Sequence, residues 1–254
     1  MKELKRVLSF TRRAVDDYEM IEDGDKIAIG ISGGKDSLTL LYALAGLRRF
    51  YPKKFDICAL TIDMGFEGMD LSPIQKLCDE LGVEYHIVKT DIAEIIFNVR
   101  KESNPCSLCA KMRRGAVHSE AVALGCNKVA FGHHFDDVVE TFMLNLFFEG
   151  RLGCFRPVTY LSNTGITLIR PLIYMPEKDI RYFASKAELP VIKSPCPADG
   201  NTRREDMKQL ISTLDREHKG LRYRIFGAIQ RGEIDGFKPS DKMEGVGAYS
   251  EEEE

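Results

Sequence analysis

At 254 residues and 28.7 kDa the chain is long enough to bury a sizeable core, as one large α/β domain or one domain with a small appendage. A 44% hydrophobic and 30% charged share is that of a water-soluble globular protein, and no run approaches the roughly 18 uninterrupted apolar residues of a transmembrane helix. Residues 240–254 hold six acids and one base of the net −3, leaving 35 bases against 33 acids, so nucleic acid could be bound only through local patches. The first twenty residues scatter their charges and contain no stretch of signal-peptide length. A cytoplasmic protein without a membrane partner is therefore expected, its seven cysteines reduced or bound to metal rather than paired in disulfides.

In chain order, residues 2–20 place Leu4, Val7, Leu8, Thr11, Val15 and Tyr18 on one helical face and crowd Lys2, Lys5, Arg6, Arg12 and Arg13 over the rest. That pattern fits a solvated amphipathic helix or a helix facing nucleic acid. A short β-prone run, 26–31, precedes the loop 32–37 and an apolar helix over 38–47. Strand 55–63, helix 71–82 closed by Gly82, and strand 83–89 follow. A helix over 107–124, strand 128–132 and helix 136–148 continue the alternation. Segments 158–161 and 166–172 flank Ser-Asn-Thr-Gly as a hairpin, and helices over 176–187, 202–217 and 220–231 complete the body. Strands alternating with helices predict an α/β fold, an open parallel sheet with helices on both faces and a small C-terminal helical extension. No repeat or low-complexity linker interrupts it, and the Gly-interrupted acidic end is expected to be disordered.

The sharpest chemical signal is Ser32-Gly33-Gly34-Lys35-Asp36-Ser37 between the first strand and its helix. Two glycines let the backbone approach an anion, and successive N–H groups at a helix start supply positive field. Lys35 adds a full charge and the serines add hydroxyls. Asp36 is repulsive beside phosphates unless Mg²⁺ bridges them, so the hexapeptide suits a nucleotide whose pyrophosphate is held with a metal. Neither the Walker spacing nor G-x-G-x-x-G is present.

Cys106 and Cys109 stand three apart at a helix start, which turns both sulfurs to one side, with Cys196 far downstream. Pro105 precedes the pair; Pro195 and Pro197 flank Cys196. Three thiolates could hold a structural metal with a fourth ligand, a 4Fe–4S cluster with one iron open, or be a redox dithiol and a bystander. Spacing alone does not join Cys196 to the pair. Cys58, Cys78, Cys126 and Cys154 sit in apolar surroundings and read as core.

The turn Gly132-His133-His134-Phe135-Asp136-Asp137 lies at the carboxyl end of a strand, where open α/β sheets bind ligands. Either acid could cap the next helix. Arg100, Lys101, Lys111, Arg113 and Arg114 oppose one acid, Glu102, between 100 and 114, and Arg203 and Arg204 follow Cys196, so both parts of the cysteine set carry positive charge suited to a polyanion.

Taken together, ISGGKDSLTLL, CSLCAKMRRG, GHHFDDVVETFMLNLFFEGRL, IRPLIY and Cys196 before NTRRE resemble the PP-loop ATP pyrophosphatases, and within them the tRNA 2-thiocytidine synthetase family of sulfurtransferases, over roughly residues 10–232. The resemblance implies an N-terminal helix over 1–25, a PP-loop ATPase domain over 26–200, packed C-terminal helices over 201–238 and a tail over 239–254. It implies that Ser32, Gly33, Gly34, Lys35, Asp36 and Ser37 bind the ATP phosphates, with Asp36 a Mg²⁺ ligand, and that Ile29 and Ile62 flank adenine. Arg113 and Gly132 would also touch ATP. Asp36, Asp137 and Arg113 would be the catalytic residues, and Cys106, Cys109 and Cys196 the ligands of a 4Fe–4S cluster. The implied partners are tRNA and a sulfur donor, sulfide or a cysteine desulfurase persulfide, and a homodimer is allowed. The family often has a second cysteine before the late ligand, where this chain reads VIKSPCPADG. The zinc-finger cysteines of the related 2-thiouridine enzymes are missing. The competing reading is a PP-loop adenylating ligase, amide-forming or of lysidine type, with a structural metal at the cysteines.

Overall fold

Residues 2–66, 68–100, 105–192, 196 and 203–239 are described by the computed structural model. Lys101, Glu102, Pro195, Pro197, the first two residues of NTRRE and the acidic tail lie outside them. The elements are α1 (Lys2–Asp17), β1 (Asp25–Gly30), α2 (Lys35–Leu47), β2 (Phe55–Asp63), α3 (Ser72–Leu81), β3 (Glu84–Lys89) and α4 (Ile92–Glu94), which widens into a π turn, Ile95–Val99. There follow α5 (Pro105–Ala123), β4 (Lys128–Ala130), α6 (Phe135–Glu149), β5 (Val158–Leu161), β6 (Ile166–Ile169), α7 (Glu177–Lys186), α8 (Arg203–Glu217), α9 (Leu221–Arg231) and a 3₁₀ turn, Ile234–Gly236. Two compact units divide the chain: Met1–His134 with Val158–Asn201, and Phe135–Pro157 with Thr202–Glu254.

The first unit is built on a sheet of order β3-β2-β1-β4-β6-β5, parallel throughout except for β5, which the 162–165 turn folds back antiparallel on β6. Register explains the double-sided core. Cys58, Ala28, Val129 and Leu168 stand side by side across four strands and pack with Ile92, Ile96, Val117 and Ala121 of α4, the π turn and α5. Their neighbours Ala59, Ile29, Ala130 and Ile169 form the next row, which the two-residue period turns to the opposite face. Both rows are buried, the pattern of a sheet covered on both faces.

Of the face that the periodicity predicts, Val7, Thr11 and Val15 on α1 and Tyr18 just after it are buried, Leu4 and Leu8 are half-buried, and Ala14 joins the buried set. Two arginines of its basic face serve packing: Arg6 pairs with Asp179 of α7 at 2.8 Å, and the Arg13 guanidinium lies 4.6 Å from the Tyr174 ring centre. Gly82 closes α3 in the left-handed region at φ +63° and donates its N–H to Asp79 and Cys78 carbonyls. The sequence reading leaves 92–99 unassigned, because a short run rich in isoleucine and phenylalanine has no cap and no clear period. There Ile92, Ala93 and Ile96 are buried. No helix of the described residues is long and apolar enough to cross a membrane.

The second unit packs α6 on α9 through aromatic contacts. Phe135 lies 4.7 Å from Phe226 and 4.9 Å from Tyr223, and Phe226 meets Phe237 edge-on at 5.6 Å.

At the amino end of the sheet, buried Asp25 gathers several donors. Lys128 Nζ stands 2.7 Å from Oδ2, Asn127 Nδ2 donates to Oδ1 at 2.7 Å, and Lys128 Nζ also donates to the Met20 carbonyl at 3.0 Å. Asp25→Ala would leave the Lys128 ammonium buried without its counter-charge, a loss of about 3–5 kcal/mol in urea unfolding. The double variant Asp25→Asn/Lys128→Met should recover most of that loss.

Candidate active site

The strand-to-helix loop of the first unit is latched by its two serines. Ser32 Oγ donates to Ser37 Oγ at 3.2 Å, Ser37 Oγ donates to the Gly34 carbonyl at 2.9 Å, and the Gly34 N–H points to Ser32 Oγ at 3.4 Å. Gly33 takes φ +81°, a conformation that costs only glycine nothing, and its carbonyl accepts the Ile192 N–H at 2.9 Å. The helix starts at Lys35, earlier than the sequence reading places it, so Lys35, Asp36 and Ser37 form its first turn. The N–H groups of a first turn have no partners within the helix and point along its axis, and with the macrodipole they form an anion site.

Gly132 closes the other side. A Cβ there would lie 2.9 Å from the Asp36 carbonyl carbon and 3.1 Å from the Ser37 nitrogen, both backbone atoms that cannot swing away. Gly132 is thus glycine because the chain just beyond β4 presses on the first turn of α2.

The charges at this turn interlock. Lys35 Nζ stands 3.1 Å from Asp36 Oδ1 and 3.1 Å from Oε1 of buried Glu177, which Arg181 holds through Oε2 at 3.0 Å. Burial opposes the charge on Lys35, but Asp36 and Glu177 outweigh it and raise the ammonium above its ordinary pKa. His134, also buried, brings Nε2 to 3.7 Å from Asp36 Oδ1. That oxygen is buried and lies at ion-pair distance from Lys35, yet the angles satisfy no hydrogen bond to it among the described residues. Lys35 and Arg181 balance Asp36 and Glu177, so the Lys35 charge is already matched before phosphates arrive. A hard divalent cation at Asp36 Oδ1 would satisfy that oxygen and add positive charge, so the residues present fit Mg²⁺. Glu177 carries no local sequence signal, its partner being far away in the chain.

Of the residues implied to flank adenine, Ile29 is fully buried and Ile62 nearly so. Ile62 packs in the cluster with Ala28 and Leu60, and the register turns Ile29 to the opposite face. The structure does not bring these two side chains together.

Cys106 is exposed on the first turn of α5, while Cys109, one turn on, and Cys196 are half-buried. Burial pushes the Cys109 thiol up, the Arg113 guanidinium pulls it down through charge and a hydrogen bond, and the Cys196 and Cys106 thiols push it up again. Cys109 is therefore the thiol on which the influences of Arg113, Cys196 and Cys106 meet. Cys109 Sγ also donates to Met64 Sδ at 3.6 Å. Among the described residues no three His, Cys, Asp or Glu side chains stand at metal-holding distance. A donor set of three thiols and no carboxylate is nonetheless that of a soft-metal or iron–sulfur site. Cys58 and Cys126 are buried with their sulfurs 3.6 Å apart, and Cys78 is buried, as core cysteines are.

In the second unit, α6 begins at Phe135, so Asp136 and Asp137 lie inside its first turn rather than at its cap. Their carboxylates are taken by arginines that local pattern could not pair with them. Arg222 Nη1 meets Asp136 at 2.8 Å, and Arg204 donates to Asp137 Oδ1 and Thr141 Oγ1 at 3.1 Å each. Beside them Glu140 is buried, and burial followed by the Asp137 charge pushes its carboxyl up to about 7, against the pull of Lys208 and Arg204.

Two outcomes follow from this geometry. Gly132→Ala should displace the start of α2 and weaken binding of a nucleotide at least tenfold by calorimetry, with the sheet still folded by circular dichroism. Because Glu140 holds its proton more tightly folded than unfolded, stability should fall as pH rises from about 4.5 to about 7. Glu140→Gln should remove that component of the fall in urea titrations across the window.

Comparison with known proteins agrees with this architecture. A family model described as a PP-loop domain matches residues 6–226. A tRNA-cytidine(32) 2-sulfurtransferase of Geobacter sulfurreducens is 41% identical over 228 residues, 89% of each chain. That of Pseudomonas entomophila is 40% identical over 89% of this chain and 83% of its own. Among solved structures, the U34-tRNA thiolase NcsA from Methanococcus maripaludis, determined with its 4Fe–4S cluster, superposes with a TM-score of 0.72 at 26% identity, over 94% of this chain and 85% of that one. By its loop, its sheet and its relatives, the chain belongs to the tRNA-cytidine 2-sulfurtransferase family of PP-loop proteins.

Proposed function

We propose that this chain replaces the C2 oxygen of a cytidine in a tRNA anticodon loop by sulfur, spending ATP to do so. The observation that carries the reading is that a single compact unit holds both a glycine-rich helix start with an unsatisfied buried carboxylate oxygen and a half-buried thiol, Cys109, that feels Arg113, Cys196 and Cys106. The names of its 40%-identical relatives point the same way.

A pyrimidine C2 carbonyl oxygen is a poor leaving group. In the proposed sequence that oxygen attacks the α-phosphorus of ATP, the bond to pyrophosphate breaks, and the base carries AMP on C2. Hydrosulfide then adds at C2 and AMP departs, leaving C2=S with no change in the oxidation state of sulfur. A persulfide donor would require two further electrons.

The loop residues Ser32 to Ser37 would hold the phosphates, Asp36 would hold Mg²⁺, and Lys35, fixed by Glu177, would place positive charge where pyrophosphate leaves. Asp137, held by Arg204, is assigned as the catalytic acid, and Arg113 is assigned to ATP or to the adenylated base from its position beside Cys109. Cys106, Cys109 and Cys196 would be the protein ligands of a 4Fe–4S cluster. Such a cluster, when bound, supplies an iron coordination position that no protein side chain fills. The chain's own contribution there is to keep Cys109 half-buried against Met64 and to set Arg113 beside the thiols. The target base must leave its stack, which an unpaired loop permits at modest cost.

The likeness to NcsA favours a second reading, formation of a 2-thiouridine. Nucleoside mass spectrometry of tRNA incubated with the reconstituted protein separates the two, and 2-thiocytidine is the expected product. Asp36→Ala and Cys196→Ala should each abolish product. Only Cys196→Ala should also lower bound iron, whereas Cys58→Ala should lower neither. Full activity with full iron in Cys196→Ala would exclude the three-cysteine site.

A further inference from the structure

The carboxyl end of α6 departs from its beginning. Phe135, Val138, Val139 and Phe142 are buried, whereas Leu146, Phe147 and Phe148 are exposed, the two rings by 57% and 53%, and Leu152 just beyond is exposed by 67%. Single apolar side chains at a surface need no explanation, but four exposed within seven residues concentrate apolar surface at one helix end, and exposed apolar surface of this kind marks interaction sites. Arginines rim it. Arg151, which pairs with exposed Glu149 at 3.3 Å, and Arg156 are exposed in the following segment, and the Arg203 guanidinium lies over the Phe148 ring, 5.3 Å from its centre.

The segment after the helix is pinned. Gly150 turns the chain in the left-handed region at φ +59°. The buried Asn145 amide then donates to the Gly153 carbonyl at 2.7 Å, and the Arg151 N–H returns to the Asn145 carbonyl at 3.1 Å. The Cys154 N–H donates to Asp235 at 2.7 Å, and Asp235 itself holds φ +51°. Gly153 sits under two side-chain ends, since a Cβ there would lie 2.6 Å from the Arg151 guanidinium and 3.1 Å from the Asp235 carboxylate. These contacts tie residues 150–154 to Asn145 and Asp235, and Arg151 and Leu152 are exposed on the segment they tie.

Flat rings beside exposed guanidinium groups are suited to a ligand with flat apolar faces and negative charge at short intervals. Unpaired RNA is such a ligand. Its bases stack on aromatic rings and guanidinium planes, and its phosphates pair with arginine, whereas bases inside a duplex present no face to stack on. We propose that Phe147, Phe148 and Leu152, with Arg151 and Arg203, form a stacking platform for unpaired bases of the tRNA substrate's loop. The proposal rests on the tRNA-directed function above and adds a binding surface in the second unit. Asn145 and Asp235 would be positioning residues for it.

The test is fluorescence anisotropy of the full chain with a labelled anticodon stem-loop RNA. Phe148→Ala should weaken binding roughly 5- to 100-fold, the range expected for losing one stacked base. Phe148→Leu, which keeps apolar surface but no flat ring, should weaken it comparably, and Phe148→Trp should restore it. Arg203→Ala should lower affinity and flatten its salt dependence. Removing the loop bases while keeping the backbone should abolish the difference between wild type and Phe148→Ala. ATP binding and circular dichroism should be unchanged in every variant. If wild type binds the RNA and all ring variants bind it equally, the platform is wrong and the tRNA reading stands. If wild type binds neither the stem-loop nor whole tRNA, the functional reading fails and the platform with it. If the ring variants convert a sedimenting dimer into a monomer without changing RNA affinity, the patch belongs to a second copy of the chain and the proposal is overturned.

Discussion

The site in the first unit depends on one close approach, the packing of Gly132 against the first peptides of α2. Strands β1 and β4 are hydrogen-bonded neighbours, so the chain leaving β1 into the loop and the chain leaving β4 end beside the same helix start. A methyl group at 132 would fall within 3.1 Å of three backbone atoms of Asp36 and Ser37. With glycine there, the helix start is wedged in place and the serine latch sets the loop. An anion site made of backbone N–H groups works only if those groups are held before the anion arrives, because ordering them afterwards would subtract from affinity.

The electrostatics follow from that frame. A helix start contributes a partial positive charge near +0.5, and Lys35 a full one. Glu177 and Asp36 oppose them, and both carboxylates stand at ion-pair distance from the same ammonium. Glu177 is buried and tied to Arg181, so it acts as a fixed anchor. Asp36 has an oxygen left over. A divalent cation at that oxygen would supply the positive charge that a polyphosphate needs there. It also accounts for an acid at the centre of a loop that otherwise reads as phosphate-binding.

Much of this was legible in the sequence because it is local. The glycines, lysine and serines of 32–37 lie between a strand and a helix, and their chemistry is set by neighbours in the chain. The alternation of short apolar runs and longer helices likewise gives the parallel sheet and the hairpin. The parts that were not legible are those made by distant partners. Glu177 reaches Lys35, Arg204 reaches Asp137 and Arg222 reaches Asp136 across long stretches of chain, and nothing in composition or spacing pairs them. Asp136 and Asp137 read equally well as caps until the helix is seen to begin at Phe135. Cys196 joins Cys106 and Cys109 only through the family resemblance, and the structure adds that Cys109 feels both. Ile29 and Ile62 illustrate the converse, since strand alternation separates two side chains that the resemblance assigns to one ligand. The exposed rings at 147 and 148 carry no distinguishing local signal, because an apolar pair near a helix end reads as core unless burial is known.

The central claim is that ATP is split between its α- and β-phosphorus in step with sulfur entering the tRNA. The most direct measurement follows α-labelled ATP, pyrophosphate and thiolated nucleoside together, with the reconstituted protein, tRNA and sulfide. One AMP and one pyrophosphate should form for each 2-thiocytidine, and neither should form without tRNA. Release of ADP and phosphate, or thiolation that proceeds without ATP, would contradict the account.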